Sequence, residues 1–329
     1  MVNVLFTSAG RRVELVRAFR NAEAALGLGG NVVTVDMSPL APALQEADKH
    51  YVVPRLDAPG YIDALVEICR TERIGLVFPT IDPDIQVLAD HRGEIEEVGA
   101  RVLSVSQDAA TVTGDKWLTY EMLNKLGVPA PKSWRADEAL AADIAFPAFI
   151  KPRAGSASQF PFRVENRRQL EFFLDYVPLP IVQELLPGPE ITNDVICGEA
   201  GKVLAVVSRE RIEVRWGEVQ KGRTIRDAEI AGHCEAIAGE LGAIGPITVQ
   251  CMMKNGKPYF TEINCRYGGG SPLGIAAGAD SPAWYIALAA GLEPHISTPA
   301  YREGIYISRF DDALFFDEEH LAEISRDSL

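Results

Sequence analysis

The first hundred residues alternate short runs of β-branched residues with longer segments in which apolar residues recur every three or four positions. This alternation predicts a parallel β-sheet with helices on its faces. Strands are predicted at Val2–Thr7, Asn31–Asp36, His50–Val53, Leu76–Pro79 and Arg101–Ser104, and helices at Arg12–Leu26 and Tyr61–Glu72. Residues 1–109 are therefore expected to form a Rossmann-like unit.

From Asp108 the pattern changes to a single helix that ends near Gly127, ahead of two prolines. Short strands separated by turns follow, which predicts antiparallel sheets. These strands are expected at Phe146–Lys151, Phe160–Val164, Ile181–Leu185, Ile191–Cys197, Lys202–Arg209, Ile247–Lys254 and Pro258–Asn264. Asn255-Gly256 predicts a type I′ hairpin, because both residue types accept positive φ. An apolar helix at Ala283–Ala290 and an irregular tail at Tyr301–Phe316 come last.

Composition narrows the class of protein. A chain of 329 residues with 47% hydrophobic content can bury a large core in two or three packed units. The net charge of -14 argues against nucleic acid as a partner, because phosphate backbones are bound by clustered Lys and Arg. No apolar run approaches the roughly 18 residues of a membrane span, and the five cysteines lack metal-ligand spacing. We expect a cytoplasmic protein that acts on a small substrate and has no membrane partner.

The segment FTSAGRR places Ser8 and Gly10 at a strand end just before a helix. Free backbone amides and the helix dipole favour an anion at such a position. A substrate anion bound there with Arg11 or Arg12 is one interpretation, and a plain helix-start turn is another. A dinucleotide site is weakly indicated, because a pyrophosphate-binding turn needs three glycines.

The segment FPAFIKPRAGSASQ delivers Lys151 on an apolar strand and follows it with the small residues Gly155, Ser156 and Ser158. A lysine in such a strand is costly unless its ammonium meets an anion. Loop amides and the lysine together predict a phosphate site. A lysine whose head reaches solvent at the strand edge is the alternative.

Three oxygen-bearing side chains lie on the two predicted strands around Asn255-Gly256. Glu262 and Asn264 share one face because side chains in a strand alternate, and Gln250 lies on the opposing strand. Mg²⁺ prefers such ligands, with water and phosphates completing its shell. The alternative is the polar outer face of a sheet.

These segments occur in the order and at the intervals of the ATP-grasp enzymes. The matching residues are Lys116 in TGDKWLTYEML, Lys151 with its loop, VQELLPGPEI, and the set of Gln250, Glu262, Asn264 and Arg266. Over residues 1–295 the chain most resembles one ATP-binding half of the carbamoyl phosphate synthetase large subunit. The resemblance implies a Rossmann-like pre-ATP-grasp domain at 1–109, then ATP-grasp subdomains at 110–185 and at 186–329, the second including the C-terminal tail. The fold class is then α/β followed by α+β.

The resemblance also implies roles for individual residues. Gln183, Glu184, Leu185 and Leu186 would border the adenine of ATP, and Glu190 would hold the ribose. Lys116 and Lys151 would contact phosphates, while Gln250, Glu262 and Asn264 would hold two Mg²⁺ ions, or Mn²⁺. Arg266 would lie beside the γ-phosphate and the acyl phosphate. Arg215 and Lys221 lie where the family has a loop over the triphosphate, although a solvated strand face explains them nearly as well.

The substrate is expected between the N-terminal unit and the C-terminal sheet, near Asp82, Asp84, Gly268 and Gly269. The aspartates would bind an amine or else cap the following helix, and the glycines permit a tight turn. We expect an ADP-forming carboxylate-amine ligase with small-molecule acid and amine substrates. Alternatives are an enzyme that uses bicarbonate and ammonia with a partner chain, and a non-catalytic nucleotide sensor. A homodimer is left open.

Overall fold

The computed structural model describes residues 1–155, 161–198, 201–215 and 217–326. The N-terminal unit contains a five-stranded sheet in which every pair of neighbouring strands is parallel, in the order β3-β2-β1-β4-β5. Its strands are β1 Asn3–Thr7, β2 Val32–Asp36, β3 Lys49–Val52, β4 Ile74–Pro79 and β5 Arg101–Val102. The predicted parallel sheet is confirmed, with strand ends within two residues of those expected.

Helices cover both faces of this sheet. They are α1 Val13–Leu26, α2 Pro42–Glu46, α3 Tyr61–Thr71, α4 Asp82–Asp90 and α5 Arg92–Glu97. Helix α1 buries Phe19 against Phe6 and Phe78, with ring centroids 4.9 and 5.3 Å away. The apolar spacing that predicted α1 therefore supplies its packing face.

The prediction of a single helix from Asp108 to Gly127 is wrong in one respect. The structure has two helices, α6 Gln107–Gly114 and α7 Lys116–Lys125, separated by Asp115 in an extended conformation. The Asp115 carboxylate accepts hydrogen bonds from the amides of Trp117 and Leu118, which caps α7. Arg153 also binds this carboxylate, at 2.6 Å. The break places Lys116 in the first turn of α7.

A four-stranded sheet follows, in the order β6-β9-β7-β8 with antiparallel neighbours. Its strands are β6 Ser133–Arg135, β7 Ala148–Pro152, β8 Phe162–Val164 and β9 Pro180–Glu184, and its helices are α8 Ala136–Ala139 and α9 Arg167–Tyr176. Strand β7 lies inside the sheet and carries Lys151.

The last sheet has six antiparallel strands in the order β14-β13-β10-β11-β12-β15. They are β10 Glu190–Cys197, β11 Val203–Arg215, β12 Glu218–Ile225, β13 Gly245–Lys254, β14 Lys257–Asn264 and β15 Tyr306–Ser308, and the helices are α10 Ala228–Glu240, α11 Ser271–Ala276, α12 Ser281–Ala289 and α13 Glu318–Arg326. Asn255 and Gly256 have φ of 53° and 77°, which confirms the hairpin. Strand β15 lies within the tail that was expected to be irregular. Among the described residues, no helix is both long and apolar enough to cross a membrane.

An aromatic cluster joins the N-terminal unit to the segment after β14. Phe78 packs against Tyr267 and Tyr285, with ring centroids 5.7 and 5.5 Å away. Both tyrosines are almost fully buried. This contact sets the start of α4 beside Arg266, where the two units meet.

Candidate active site

A cavity of about 390 Å³ lies between the four-stranded and six-stranded sheets. It has the size of a small-molecule site, and it is called the nucleotide cavity below. Of the predicted residues, Lys116, Lys151, Gly155, Gln183, Glu184, Leu185, Leu186, Glu190, Gln250 and Glu262 line it. Ser156 and Ser158 lie outside the described residues.

One wall of the nucleotide cavity is apolar and includes Phe149, Leu186 and Met252. Beside it, Gln183 is buried and donates from Nε2 to the Ser133 hydroxyl at 2.8 Å. Glu184 accepts from Lys254 at 2.6 Å. Both polar side chains therefore have partners within the protein and hold this wall in place. Leu185 and Leu186, which follow β9, also border the cavity.

Lys151 is a partly buried lysine that lines the same cavity, with Nζ 5.8 Å from the centre of the Phe149 ring. Burial lowers its pKa to about 8, against the opposing influence of Glu262 and Glu190. Lys116 reinforces the lowering of that pKa and donates from Nζ to the Gly155 carbonyl at 2.9 Å. No carboxylate pairs with Lys151 within the described part of the chain. An anionic ligand at this position would favour the charged form of the ammonium.

Glu262 lies opposite Gln250 in the β13–β14 pair. Because Cys251 pairs with Phe260, Thr261 is an extra residue, and a bulge of this kind redirects neighbouring side chains. Among residues with described positions, none forms a hydrogen bond or ion pair with the Glu262 carboxylate. A carboxylate without a described partner and the amide side chains of Gln250 and Asn264 form a donor set that fits Mg²⁺.

A second cavity, of about 460 Å³, opens beside the first and shares Glu190, Gln250 and Glu262 with it. It is called the reaction cavity below. The predicted residues Asp82, Asn264, Arg266, Gly268 and Gly269 line it. The two cavities therefore meet at the residues expected to hold the metal and the ribose.

Arg266 is mostly buried and donates from Nη2 to the Asp82 carboxylate at 2.7 Å. Asp82 lies in the first turn of α4, but its side chain does not cap that helix. This ion pair joins the N-terminal unit to the strand end beyond β14. Asp82 thus reaches the cavity as predicted and has an arginine as its partner.

Family comparisons agree with this geometry. Residues 113–270 match the family described as ATP-grasp domain, and residues 4–103 match the one described as PylC-like, N-terminal domain. Residues 113–270 of the chain are an ATP-grasp domain. The predicted superfamily and its Rossmann-like first unit are confirmed.

Several ligases are similar to this ATP-grasp chain. It is 25% identical over 233 residues to the D-alanine–D-alanine ligase of Fusobacterium nucleatum subsp. nucleatum, which covers 65% of this chain and 80% of that enzyme. It is 27% identical over 265 residues to the carbamoyl phosphate synthase large chain of Myxococcus xanthus, which covers 72% of this chain but only 24% of that one. These likenesses confirm the prediction of an ATP-grasp ligase at the level of the family.

The fold also resembles that of the biotin carboxylase domain dimer of Hydrogenobacter thermophilus 2-oxoglutarate carboxylase, solved with MgADP, ADP and bicarbonate. The TM-score is 0.71 at 20% identity, and the match covers 93% of this chain and 73% of that one. This likeness shows the fold alone.

The N-terminal turn of the ATP-grasp chain differs from the predicted anion site. The Gly10 amide donates to the Asp36 carboxylate at 2.8 Å, and the Ser8 hydroxyl donates to Asp84 at 3.0 Å. Asp84, expected to face substrate, is fully buried instead, and burial raises its pKa to about 6. Both the turn and Asp84 are satisfied internally, because the fold surrounds them with partners. Arg11 lines a separate cavity of about 350 Å³ that also touches Gly268 and Gly269.

Arg215 and Lys221 lie on the β11–β12 hairpin and line none of these three cavities. Lys221 pairs with Glu213 at 2.6 Å, and Arg215 lies 3.6 Å from Asp311. The structure therefore does not bring them to the other predicted residues, and their catalytic role stays a prediction.

Other charged residues reach the reaction cavity without having been assigned to it. They are Arg209, Arg211 and Glu218, and Arg12, which was considered as a partner of a substrate anion, lines this cavity as well. Arg12 donates to Glu218 at 2.8 Å, and Arg211 pairs with Glu190. Arg209 and Arg211 are two residues apart in a strand, so they share a face. This spacing of two residues is the sequence signal that could have identified Arg209 and Arg211.

Proposed function

We propose that this chain is an ADP-forming carboxylate-amine ligase, which activates a small acid as an acyl phosphate and joins it to an amine. The observation that carries the proposal is the junction of the two cavities. Glu262 lies at the junction and has no partner among the described residues, Lys151 lies on the nucleotide side, and Arg266 lies on the other side. A triphosphate held in the first cavity would end where an acid in the second cavity begins.

Phosphoryl transfer to a carboxylate needs alignment and neutralisation of charge more than covalent help. Lys116, Lys151 and Arg266 supply positive charge along this line. Glu262, Asn264 and Gln250 would hold Mg²⁺, two ions by the resemblance, and the bound metal supplies further neutralisation.

In the proposed reaction, an oxygen of the acid attacks the γ-phosphorus and ADP leaves. The amine nitrogen then attacks the acyl carbon, phosphate leaves, and the amine loses a proton. Arg266 would stabilise the negative charge of the acyl phosphate. Its ion pair with Asp82 fixes the guanidinium for that role.

The test is release of ADP and phosphate by the purified chain with MgATP, against small carboxylates and amines alone and in pairs. Release that needs both an acid and an amine supports the ligase. Glu262→Gln should reduce it by roughly 100-fold, because a charge aligned on the metal is lost. Glu293→Gln, an exposed position away from both cavities, is the matched control.

Two other results would contradict the proposal. ADP release that needs only bicarbonate and ammonia would point to synthesis of carbamoyl phosphate, the reaction for which the Myxococcus xanthus relative is named. Tight ATP binding without turnover for any pair would point to a sensor. A Glu262→Gln variant as active as Glu293→Gln would remove the metal assignment.

A further inference from the structure

Arg209 is a fully buried arginine at the wall of the reaction cavity. It lies on β11, is 2% exposed, and binds both oxygens of Asp194 through Nε and Nη2 at 2.6 and 2.8 Å. Nη1 has no hydrogen-bond partner within the described residues. A buried guanidinium with unused N–H groups beside a cavity is prepared to bind an anion.

The counter-charges in the cavity distinguish Arg209 from its neighbours. Arg12, Arg211 and Arg266 are paired with Glu218, Glu190 and Asp82 respectively, and all three of these carboxylates also line the cavity. Asp194, by contrast, does not line the reaction cavity but a separate small space behind it. Arg209 therefore lines the reaction cavity, whereas the carboxylate that pairs with it does not.

The glycine turn Gly268–Gly270 packs directly against this guanidinium. A Cβ at Gly270 would lie 2.2 Å from Nη1 of Arg209, and one at Gly268 would lie 3.3 Å from Nη2. No acceptor for the amides of Gly268, Gly269 or Gly270 is found in the part of the chain that the structure describes. Such amides beside a buried arginine can donate hydrogen bonds to an anion, and the carboxylate near the turn, Glu218 beside Gly269, is paired with Arg12.

This end of the cavity is separate from the phosphate end. A Cβ at Gly268 would also touch Thr248, and Thr248 is two residues before Gln250 on β13. Two residues along a strand span about 7 Å. Gln250 lies at the junction with the nucleotide cavity, where the reacting carboxylate is expected. An anion bound at Arg209 would therefore be another group of the substrate, several covalent bonds away from the reacting carboxylate.

We propose that Arg209 and the amides of Gly268–Gly270 bind a second, non-reacting carboxylate of a substrate. The group belongs to a dicarboxylic acid or to an amino acid, on either the acid or the amine side of the reaction. This inference rests on the proposed function in one respect, because it calls the bound molecule a substrate. The anion-binding site at Arg209 does not depend on that function.

The experiment compares carboxylate pairs that differ by one anionic group. The probes are succinate, L-aspartate and L-glutamate, each against the amide that masks one carboxylate, and L-lysine against its amide. Binding to the MgADP-loaded full chain is followed by saturation-transfer NMR, and ADP release is followed with MgATP. The acid series is run at fixed amine and the amine series at fixed acid, which identifies the side that carries the second carboxylate.

The test variant is Arg209→Gln with Asp194→Asn, which removes both charges and leaves no unpaired buried ion. The matched control is Arg20→Gln with Asp48→Asn, an exposed pair joined at 2.8 Å. In the wild type and the control, at least one probe should bind about tenfold more tightly than its amide. In the test variant that ratio should fall to near one while ADP affinity is kept. Arg209→Lys should retain part of the ratio.

The outcomes separate the two proposals. A preference for the second carboxylate that depends on Arg209, without any ADP release, supports this site and removes the ligase. ADP release with a preference that survives in the test variant, or with no preference in any pair, overturns this site alone. Loss of ADP affinity together with the ratio would show that Arg209 has a structural role only.

Discussion

The lowered pKa of the partly buried Lys151 predicts a measurable proton uptake when ATP binds. Burial lowers the pKa of Lys151 to about 8 in the free protein. A triphosphate next to the ammonium favours its charged form and returns the pKa toward the ordinary range for lysine. Binding of MgATP must therefore take up protons in the pH range where the free lysine is partly neutral.

The size of the uptake follows from that pKa. With a pKa of about 8 in the free state, about half of the molecules are neutral at pH 8, about one in ten at pH 7 and about nine in ten at pH 9. Uptake should rise accordingly from about 0.1 to about 0.9 proton per ATP. Above pH 8 the affinity for MgATP should fall by up to about tenfold per pH unit.

The assay is titration calorimetry of MgATP at pH 7, 8 and 9 in buffers of different ionisation enthalpy. Lys151→Arg keeps the charge at all these pH values and should abolish the uptake, whereas Lys125→Arg, on an exposed lysine paired with Glu240, should not. Equal heats in all buffers at pH 8 would refute the reasoning. Uptake that persists in Lys151→Arg would assign the proton to another group.

Two further predictions concern stability and cavity shape. The pKa of Asp84 is raised to about 6 in the folded state from a reference of 3.8, so its contribution to stability is complete below pH 4 and is lost as the pH rises through 6. Urea unfolding between pH 4 and 7 should show a decline of about 3 kcal/mol in the free energy of unfolding, which Asp84→Asn removes. An identical decline in the variant would contradict this. A Cβ at Gly188 would lie 1.7 Å from the Met253 carbonyl oxygen, so Gly188→Ala should lower the free energy of unfolding by about 1 to 3 kcal/mol and weaken ATP binding, while Gly239→Ala, with open space in α10, should leave both intact or raise stability. Unchanged ATP affinity and melting temperature in Gly188→Ala would show that the segment around residue 188 can move away from the Met253 carbonyl.

The sequence by itself determined the elements that depend on local patterns. Apolar periodicity predicted the parallel sheet and α1, and Asn255-Gly256 predicted the β13–β14 hairpin, because faces and turns follow from residues close in the chain. Motif order predicted most of the residues that line the nucleotide cavity. Strands β12 and β15 were missed, since their burial depends on neighbours in the sheet.

Only the tertiary structure decided which charged groups meet. Asp84 binds Ser8 across 76 residues, Arg266 binds Asp82 across 184, and Arg12 binds Glu218 across 206. The break before α7 likewise depends on a contact between Asp115 and Arg153. Periodicity indicates which face of an element is buried, but the partner of a charge is selected by the strand ends and helices that packing brings together. For that reason the sequence predicted Arg266 and Asp82 separately, and the fold alone joined them.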